Sequence, residues 1–290
     1  MHKLAPTNSG KKQTMSTKPD IDSETFREFE LTGWRKVSAE YQEYYSRVTR
    51  QTVEPLLDAV GAGQGMRILD VATGPGYVAA AATTRGAVGV GIDFSEPQIE
   101  LARQQFAGSE FHVSDAEDLP FPDQDFDGVV INFGVLHFPQ PEVAISEAFR
   151  VLRKGGRLAF TVWAASEVSK AFDIVERALK THGNLDLPLP KGPYLYRFSD
   201  PEECSRVLLA AGFDNPTSTL VNSVWRFPAP ETLFEAVSSA GVRMTSVLNL
   251  QTPAALENIR AQMRNDCAKY VSGDMIELPM GAILSTANKT

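Results

Sequence analysis

Short apolar runs alternate with segments of helical periodicity between Met66 and Trp163. This alternation is typical of successive β-α-β units, and therefore of a parallel sheet flanked by helices. We predict strands at residues 67–71, 87–92, 110–113, 128–132 and 157–163. The carboxyl ends of parallel strands meet at one edge of the sheet, which is where ligands bind in open α/β folds.

The segments on either side of this core have different patterns. Residues 1–22 are rich in Lys, Ser, Thr and Pro and are predicted to be a disordered tail. Residues 23–60 are predicted to be helical, because Tyr41, Tyr44, Tyr45 and Val48 share one apolar face. Beyond Trp163 we expect helices at 170–181 and 200–212, a strand at 218–225, a largely helical stretch at 230–270 and a closing strand at 281–285.

Composition narrows the classes of partner. The formal net charge is -8, and the sequence contains no Lys/Arg stripe that could follow a phosphate backbone, so nucleic acid is not expected as a partner. No apolar run approaches the roughly 18 residues of a membrane span, which favours a cytoplasmic protein. Cys204 and Cys267 lack a metal-binding or disulfide spacing, so we expect reduced structural thiols and no metal site.

A glycine-rich turn, Ala72-Thr73-Gly74-Pro75-Gly76, follows the first predicted strand and precedes a helix of small residues. Bare backbone and the unpaired N–H groups at a helix start allow a ligand to approach closely. Gly74 and Gly76 together with Ala79 also satisfy the dinucleotide-binding fingerprint. The turn alone therefore fits a nicotinamide cofactor and S-adenosylmethionine equally well.

Acidic residues at three strand ends favour S-adenosylmethionine. Asp70 precedes the glycines, where a carboxylate would repel a pyrophosphate but could accept hydrogen bonds from an ammonium group. Asp93 ends the second strand and is placed to bind ribose hydroxyls, as in both cofactor classes. Asp115 ends the third strand, where its carboxylate could accept from an adenine amino group.

The segments ILDVATGPG, GVGIDFS, SDAEDLPFPDQDFDGVV and EAFRVLRKGGRLAFT lie between Met66 and Thr161, about a third of the chain. Through them the chain resembles the class I S-adenosylmethionine-dependent methyltransferases, particularly those of quinone biosynthesis. The resemblance implies a Rossmann-like α/β fold with a seven-stranded, mostly parallel sheet of order 3-2-1-4-5-7-6, helices on both faces and a helical lid. Ala72 departs from the family pattern, which commonly has glycine there.

The segments outside these motifs are predicted to carry substrate specificity, because loops and inserted helices over a sheet edge vary while the cofactor side is fixed. Residues 23–60 would form an N-terminal helical lid, and residues 61–290 would form the methyltransferase domain. Helical insertions at about 164–215 and 230–272 would form a substrate cap.

Within this resemblance, the cofactor positions follow the strand ends. The methionine and ribose side is expected at Asp70, Ala72, Gly74 and Gly76, with Asp93 on the ribose. Asp115 and Ala116 would frame the adenine. Phe94, Asn132 and Phe133 are further candidates, of which the two phenylalanines fit ordinary core packing equally well.

His137 follows the fourth strand and is the candidate general base for an acceptor that must lose a proton. Its alternative role is a local hydrogen bond or helix cap, while His112 and His182 are interpreted as structural. Trp34, Tyr41, Tyr45 and Phe234 are candidate substrate-binding residues beside His137, although an aromatic stripe at helical spacing also fits a core.

These observations predict an enzyme that methylates a small apolar or aromatic molecule on oxygen, nitrogen or carbon and releases S-adenosylhomocysteine. One alternative is a nicotinamide-dependent oxidoreductase on a similar fold. The other is a methyltransferase-like module that binds without catalysis. The sequence indicates no particular oligomeric state.

Overall fold

The computed structural model describes residues 22–290. The predicted disordered tail lies outside the described residues, except for Asp22 at its end. The Asp22 side chain accepts a hydrogen bond from the backbone N–H of Thr25, which makes it the N-terminal cap of the first helix.

Residues 22–290 form eight strands and eleven α-helices, in an order close to the predicted one. The strands are β1 Arg67–Val71, β2 Val88–Asp93, β3 Glu110–Val113, β4 Phe126–Asn132, β5 Leu152–Trp163, β6 Asp214–Phe227, β7 Val271–Ser272 and β8 Met275–Asn288. The helices are α1 Ser23–Tyr44, α2 Ser46–Thr49, α3 Val53–Val60, α4 Tyr77–Thr84, α5 Glu96–Gln105, α6 Pro141–Val151, α7 Lys170–His182, α8 Pro201–Ala210, α9 Thr232–Ser239, α10 Val242–Asn249 and α11 Pro253–Cys267.

The sheet has the order β3-β2-β1-β4-β5-β8-β6, which confirms the predicted topology. Strands β1 to β5 are parallel, and β8 lies antiparallel between β5 and β6. The two-residue strand β7, which pairs with β8, was not predicted. Strands β6 and β8 are also longer than predicted, because polar residues at their ends hide the strand pattern in the sequence.

Residues of the central strands alternate between two apolar layers. Ile68 and Val130 pack with α3 and α4 on one face of the sheet. Leu69 and Val129 pack on the other face, with α6 and α8. Parallel strands buried on both faces have no exposed side along their length, so their polar residues collect at the strand ends.

The N-terminal helical stretch is interrupted rather than continuous. It divides into α1, α2 and α3, with a short 3-10 turn at Arg50–Thr52. Pro55 explains the new start, because proline is tolerated only in the first turn of a helix. Helix α3 packs against the sheet through Leu56 and Leu57. Helix α3 is therefore part of the sheet's packing, and we propose that only α1 and α2 form the lid.

A third apolar cluster lies beyond the carboxyl edge of the sheet. It combines α7, α9 and α11 with the far ends of β6 and β8. Strand β5 ends where Trp163 pairs with Ala282, whereas β6 and β8 continue pairing as far as Phe227 and Ile276. This two-stranded extension carries Trp225 past the edge of the parallel strands, and we propose that the cluster is the predicted cap.

Both cysteines are buried and free, as expected of structural thiols. Cys204 Sγ lies 3.3 Å from Ser285 Oγ. Between residues 22 and 290, no helix combines the length and apolar character needed to cross a lipid bilayer.

Replacing Gly76 by alanine should destabilise the fold more than the same change at Gly155. Both glycines have left-handed φ angles, 85° and 80°. A Cβ at Gly76 would lie 2.7 Å from Phe111 Cζ and 2.9 Å from Ala102 Cβ, whereas one at Gly155 meets no atom within 4 Å. We expect a loss of about 1 kcal/mol for Gly155→Ala and an additional ~1–3 kcal/mol for Gly76→Ala, measured by urea unfolding. Equal losses would contradict the packing seen around this turn.

Candidate active site

The glycine-rich turn follows β1 and has several left-handed residues. Ala72, Gly74 and Gly76 have φ angles of 56°, 53° and 85°. Phe133, which follows β4, has a φ of 57°. Non-glycine residues in this region carry strain of about 1–3 kcal/mol and cluster at functional sites. Ala72 thus holds the left-handed conformation that glycine would adopt more easily, at the position where the resemblance implies glycine.

Asp70 is completely buried at the end of β1. Its Oδ2 accepts hydrogen bonds from Thr73 Oγ1 at 2.5 Å and from the N–H of Ala79 at 3.2 Å. Its Oδ1 is buried without a partner among the described residues. Burial raises the pKa of the Asp70 carboxyl to about 7, against the lowering effect of these hydrogen bonds. Such a group would be stabilised by a ligand that brings a positive charge.

Asp93 ends β2 and joins it to the glycine turn. Its Oδ2 accepts from the N–H of Gly74 and its Oδ1 from the N–H of Ser95, both at 2.9 Å. Burial raises the pKa of Asp93 to about 6, although these backbone N–H groups and the nearby His137 lower it. A carboxylate has about four lone-pair sites, so Asp93 retains capacity for further donors.

Asp115, beyond the end of β3, has a partner that sequence reasoning missed. Its Oδ1 accepts from the N–H of Glu117 at 2.8 Å. Arg27, on α1, pairs with Oδ2 of Asp115 and with Glu117. Helix α1 therefore lies over the end of the site assigned to adenine, close to Ala116, which is buried.

Asn132 and Phe133, at the end of β4, have strong structural contacts. Asn132 Oδ1 accepts from Thr52 Oγ1 at 2.8 Å and Thr161 Oγ1 at 2.6 Å, and its Nδ2 donates to the carbonyl of Thr49. The ring of Phe133 stacks on that of Trp163 at a centroid distance of 4.0 Å. Both residues thus pack within the protein at this edge. Phe94, by contrast, is only partly buried.

His137 ends a short 3-10 turn and is held by α1. Its Nδ1 lies 2.9 Å from Oε2 of Glu30, a side chain that is only 2% exposed. The indole N–H of Trp34 donates to the same oxygen at 3.0 Å. The Trp34 and His137 rings meet edge to face at 5.0 Å. The structure therefore supplies the candidate base with a carboxylate partner.

Aromatic residues on α1 and directly after it extend this contact. The Tyr41 ring packs edge to face on that of Trp34, with the ring centroids 5.3 Å apart. It also stacks on the Tyr45 ring at a centroid distance of 5.7 Å. Tyr45 in turn contacts Trp225 at 4.6 Å. Burial raises the pKa of Tyr41 to about 12, with contributions from the nearby Asp93 and Asp70 that also raise it. Tyr41 therefore lies within the electrostatic influence of the two carboxylates at the turn.

Phe234 belongs to the same apolar cluster as Tyr45, and its ring also makes a cation–π contact. The guanidinium of Arg260 lies 4.6 Å from its ring centroid. Among the residues that the structure describes, no ring contact joins Phe234 to His137, so the structure does not bring this predicted substrate residue to the candidate base.

Sequence reasoning missed Arg27, Glu30 and Trp225. Arg27 and Glu30 share one helical face with Trp34 and Tyr41, so their spacing was an available signal. Trp225 had none, because its position depends on the pairing of β6 with β8. Among the residues that the structure describes, no group of three or more His, Cys, Asp or Glu side chains is arranged to hold a metal ion.

Comparisons with known proteins agree with this geometry. A family model described as a methyltransferase domain matches residues 69–160. A demethylmenaquinone methyltransferase of Clavibacter sepedonicus is 39% identical over 127 residues, which cover 42% of this chain and 52% of that protein. One of Thermus thermophilus is 35% identical over 188 residues, or 60% of this chain and 73% of that protein.

The fold has a similar counterpart among solved structures. An S-adenosylmethionine-dependent methyltransferase from Thermotoga maritima has a TM-score of 0.53 at 18% identity, covering 90% of this chain and 100% of that one. The chain spans about half the length of the Clavibacter relative. On the identity to the Thermus relative and the shared sheet, the chain belongs to the class I S-adenosylmethionine-dependent methyltransferase family, among members similar to the quinone-biosynthesis enzymes.

Proposed function

We propose that this protein is an enzyme that transfers a methyl group from S-adenosylmethionine to a small apolar or aromatic molecule and releases S-adenosylhomocysteine. The observation that carries the proposal is the convergence of Asp70, Asp93 and Asp115 at the ends of three neighbouring strands, around a glycine turn. A small-molecule acceptor is favoured over nucleic acid because the net charge is -8.

The residues at the turn fit this cofactor. Asp70 Oδ1 is a buried acceptor without a partner among residues 22–290, and it would accept from the ammonium of the methionine part. Asp93 retains lone pairs for ribose hydroxyls. A Cβ at Gly74 would meet no atom within 4 Å, which leaves the turn open to a ligand. A pyrophosphate would face the Asp70 carboxylate, and this disfavours the nicotinamide alternative.

S-adenosylmethionine would supply an electrophilic methyl group on a sulfonium. The protein then has to hold the acceptor in line with that methyl in a dry site, and positioning of this kind contributes about 7–11 kcal/mol in favourable cases. Trp34, Tyr41 and Tyr45 offer flat apolar surfaces for an aromatic acceptor. His137 would accept a proton from an acceptor hydroxyl.

The proposed substrate class rests on α1 and the cap, which lie outside the matched residues 69–160. The related proteins of Clavibacter and Thermus are demethylmenaquinone methyltransferases by name. Their names and the aromatic surface of α1 both favour a hydroxylated aromatic acceptor for this chain.

Asp70→Asn should abolish stabilisation by S-adenosylmethionine, because a neutral amide cannot balance the positive charge of the ligand. At a concentration 100 times its Kd, the ligand should stabilise the wild-type protein by about 2.7 kcal/mol, followed as a rise in melting temperature. The exposed Asp186 provides a control, and Asp186→Asn should retain the rise. Stabilisation of the wild type by NADH alone would overturn the proposal.

The same variant should change the pH dependence of stability without ligand. The ordinary Asp70 pKa of 3.8 rises to about 7 in the fold because of burial. The folded state is therefore penalised increasingly as the pH rises from about 4 to 7, while the unfolded chain ionises freely. Asp70→Asn removes this penalty, so its gain in melting temperature over wild type should grow between pH 5 and pH 8. A difference that is constant with pH, as expected for Asp186→Asn, would contradict the burial effect.

Tyr41→Ala should weaken acceptor binding, because it removes one side of the aromatic surface beside His137. We expect the KM for a reduced 1,4-naphthoquinone to rise about tenfold, which corresponds to ~1.4 kcal/mol, with little change in the affinity for S-adenosylmethionine. Tyr194→Ala, at a side chain that is 68% exposed, serves as the control. An unchanged KM would remove Tyr41 from the substrate site.

A further inference from the structure

Glu30 is a buried acid on α1 with an unusual set of partners. Its side chain is 2% exposed, and its Oε2 accepts a hydrogen bond from the Trp34 indole N–H and lies 2.9 Å from Nδ1 of His137. Among the described residues, no Lys or Arg forms an ion pair with it. A buried carboxylate is expensive unless its charge is balanced.

Stability alone does not explain a carboxylate at this position. A neutral glutamine could accept the Trp34 hydrogen bond with a smaller desolvation penalty. The negative charge of Glu30 becomes useful when His137 carries a positive charge, even for part of a reaction. The charge of Glu30 is therefore explained by its contact with His137 and not by packing in the core.

The shared oxygen determines which nitrogen of His137 carries the hydrogen. An indole N–H can only donate, so Glu30 Oε2 acts as an acceptor. The 2.9 Å contact between Nδ1 of His137 and Oε2 of Glu30 is therefore a hydrogen bond when Nδ1 carries the hydrogen and donates it to that oxygen. In the neutral ring this leaves the lone pair on Nε2, which has no hydrogen-bond partner among residues 22–290.

We propose that Glu30 is a positioning residue for His137, a role that rests on the proposed methyltransferase function. Glu30 holds the imidazole with Nδ1 protonated and Nε2 free to accept a proton. As the acceptor gains the methyl group, its hydroxyl proton moves to Nε2, and the positive charge passes from the sulfonium to the imidazolium. Glu30 stabilises that imidazolium until the proton leaves the ring.

The proposal also specifies the acceptor. A hydroxylated aromatic compound has the proton that this histidine would accept. When the methyl is attached to oxygen, that proton leaves the imidazolium to solvent. When the methyl is attached to a ring carbon activated by the ionised hydroxyl, the hydrogen on that carbon is lost to solvent as the ring regains aromaticity, and the imidazolium returns its proton to the oxygen. A neutral amine would make no use of the Glu30–His137 pair.

Two substitutions of Glu30 distinguish its effect on the His137 tautomer from the effect of its negative charge. Glu30→Leu removes both acceptor oxygens, whereas Glu30→Gln retains one oxygen without the charge. The chain has four histidines, so long-range 1H–15N spectra of 15N-labelled protein are simple, and loss of a signal in His137→Gln assigns the ring. Glu28 is exposed on the same helix, and Glu28→Gln is the matched control.

We expect the Nδ1–H tautomer in the wild type, in Glu28→Gln and in Glu30→Gln, and its loss in Glu30→Leu. With a reduced 1,4-naphthoquinone as acceptor, Glu30→Gln should lower kcat about 10- to 100-fold, within the range that general-base catalysis contributes. The KM should change less than about twofold, because Glu30 contacts His137 rather than the acceptor.

The outcomes distinguish the two proposals. If calorimetry shows no binding of S-adenosylmethionine to the wild type, the proposed function fails regardless of the tautomer. If the cofactor binds but the wild type has the Nε2–H tautomer, or kcat is unchanged in Glu30→Gln, the role of Glu30 is wrong. Should Glu30→Leu fail to fold, the wild-type spectrum and Glu30→Gln still decide the question.

Discussion

Burial of the central strands on both faces is the constraint on which the candidate site depends. Residues such as Ile68 and Leu69 point into opposite apolar layers, so the sheet has no polar side along its length. Ionisable side chains on these strands can lie outside the two apolar layers only at the strand ends. Asp70 and Asp93 lie at those ends, and the bond from the Gly74 N–H to Asp93 joins β2 to the turn that follows β1.

The site formed in this way is electrostatically unfavourable without a ligand. Burial raises the pKa of Asp70 to about 7 and that of Asp93 to about 6, and the negative charge of Asp93 contributes to the rise at Asp70. Stability and ligand binding therefore oppose each other at the turn, as is common at functional sites. A cationic ligand would relieve the repulsion, since it balances charge that the protein leaves unbalanced.

Helix α1 adds a second layer that links the two ends of the site. Arg27 reaches the carboxylates beyond β3, Glu30 and Trp34 reach His137, and Tyr41 lies near the acids of the turn. These contacts come from one face of a single helix. The family match covers residues 69–160, whereas this helix lies before it. In the proposed function, residues around the acceptor therefore come from a helix outside the matched segment, packed on a sheet of the family's type.

Much of the fold was predictable, because strand and helix periodicities are local and the connections in β-α-β units are short. The same reasoning located Asp70, Asp93 and His137, since each lies at or shortly after the end of a recognisable strand. The interruption of the N-terminal stretch near Pro55 and the full length of β6 and β8 were less visible. In β6, polar residues such as Asp214 and Thr217 hide the start of the strand, and its pairing with β8 defines it.

The sequence by itself therefore determined the succession of strands and helices and the acids at the strand ends, because both follow from patterns within a few residues. The order of the strands in the sheet was implied by the family resemblance and not by these local patterns. Only the tertiary structure decided which groups meet those acids and the histidine. Glu30 and His137 are 107 residues apart, and Arg27 and Asp115 are 88 apart. Contacts at such separations depend on how α1 packs over the sheet, and no local pattern specifies that packing.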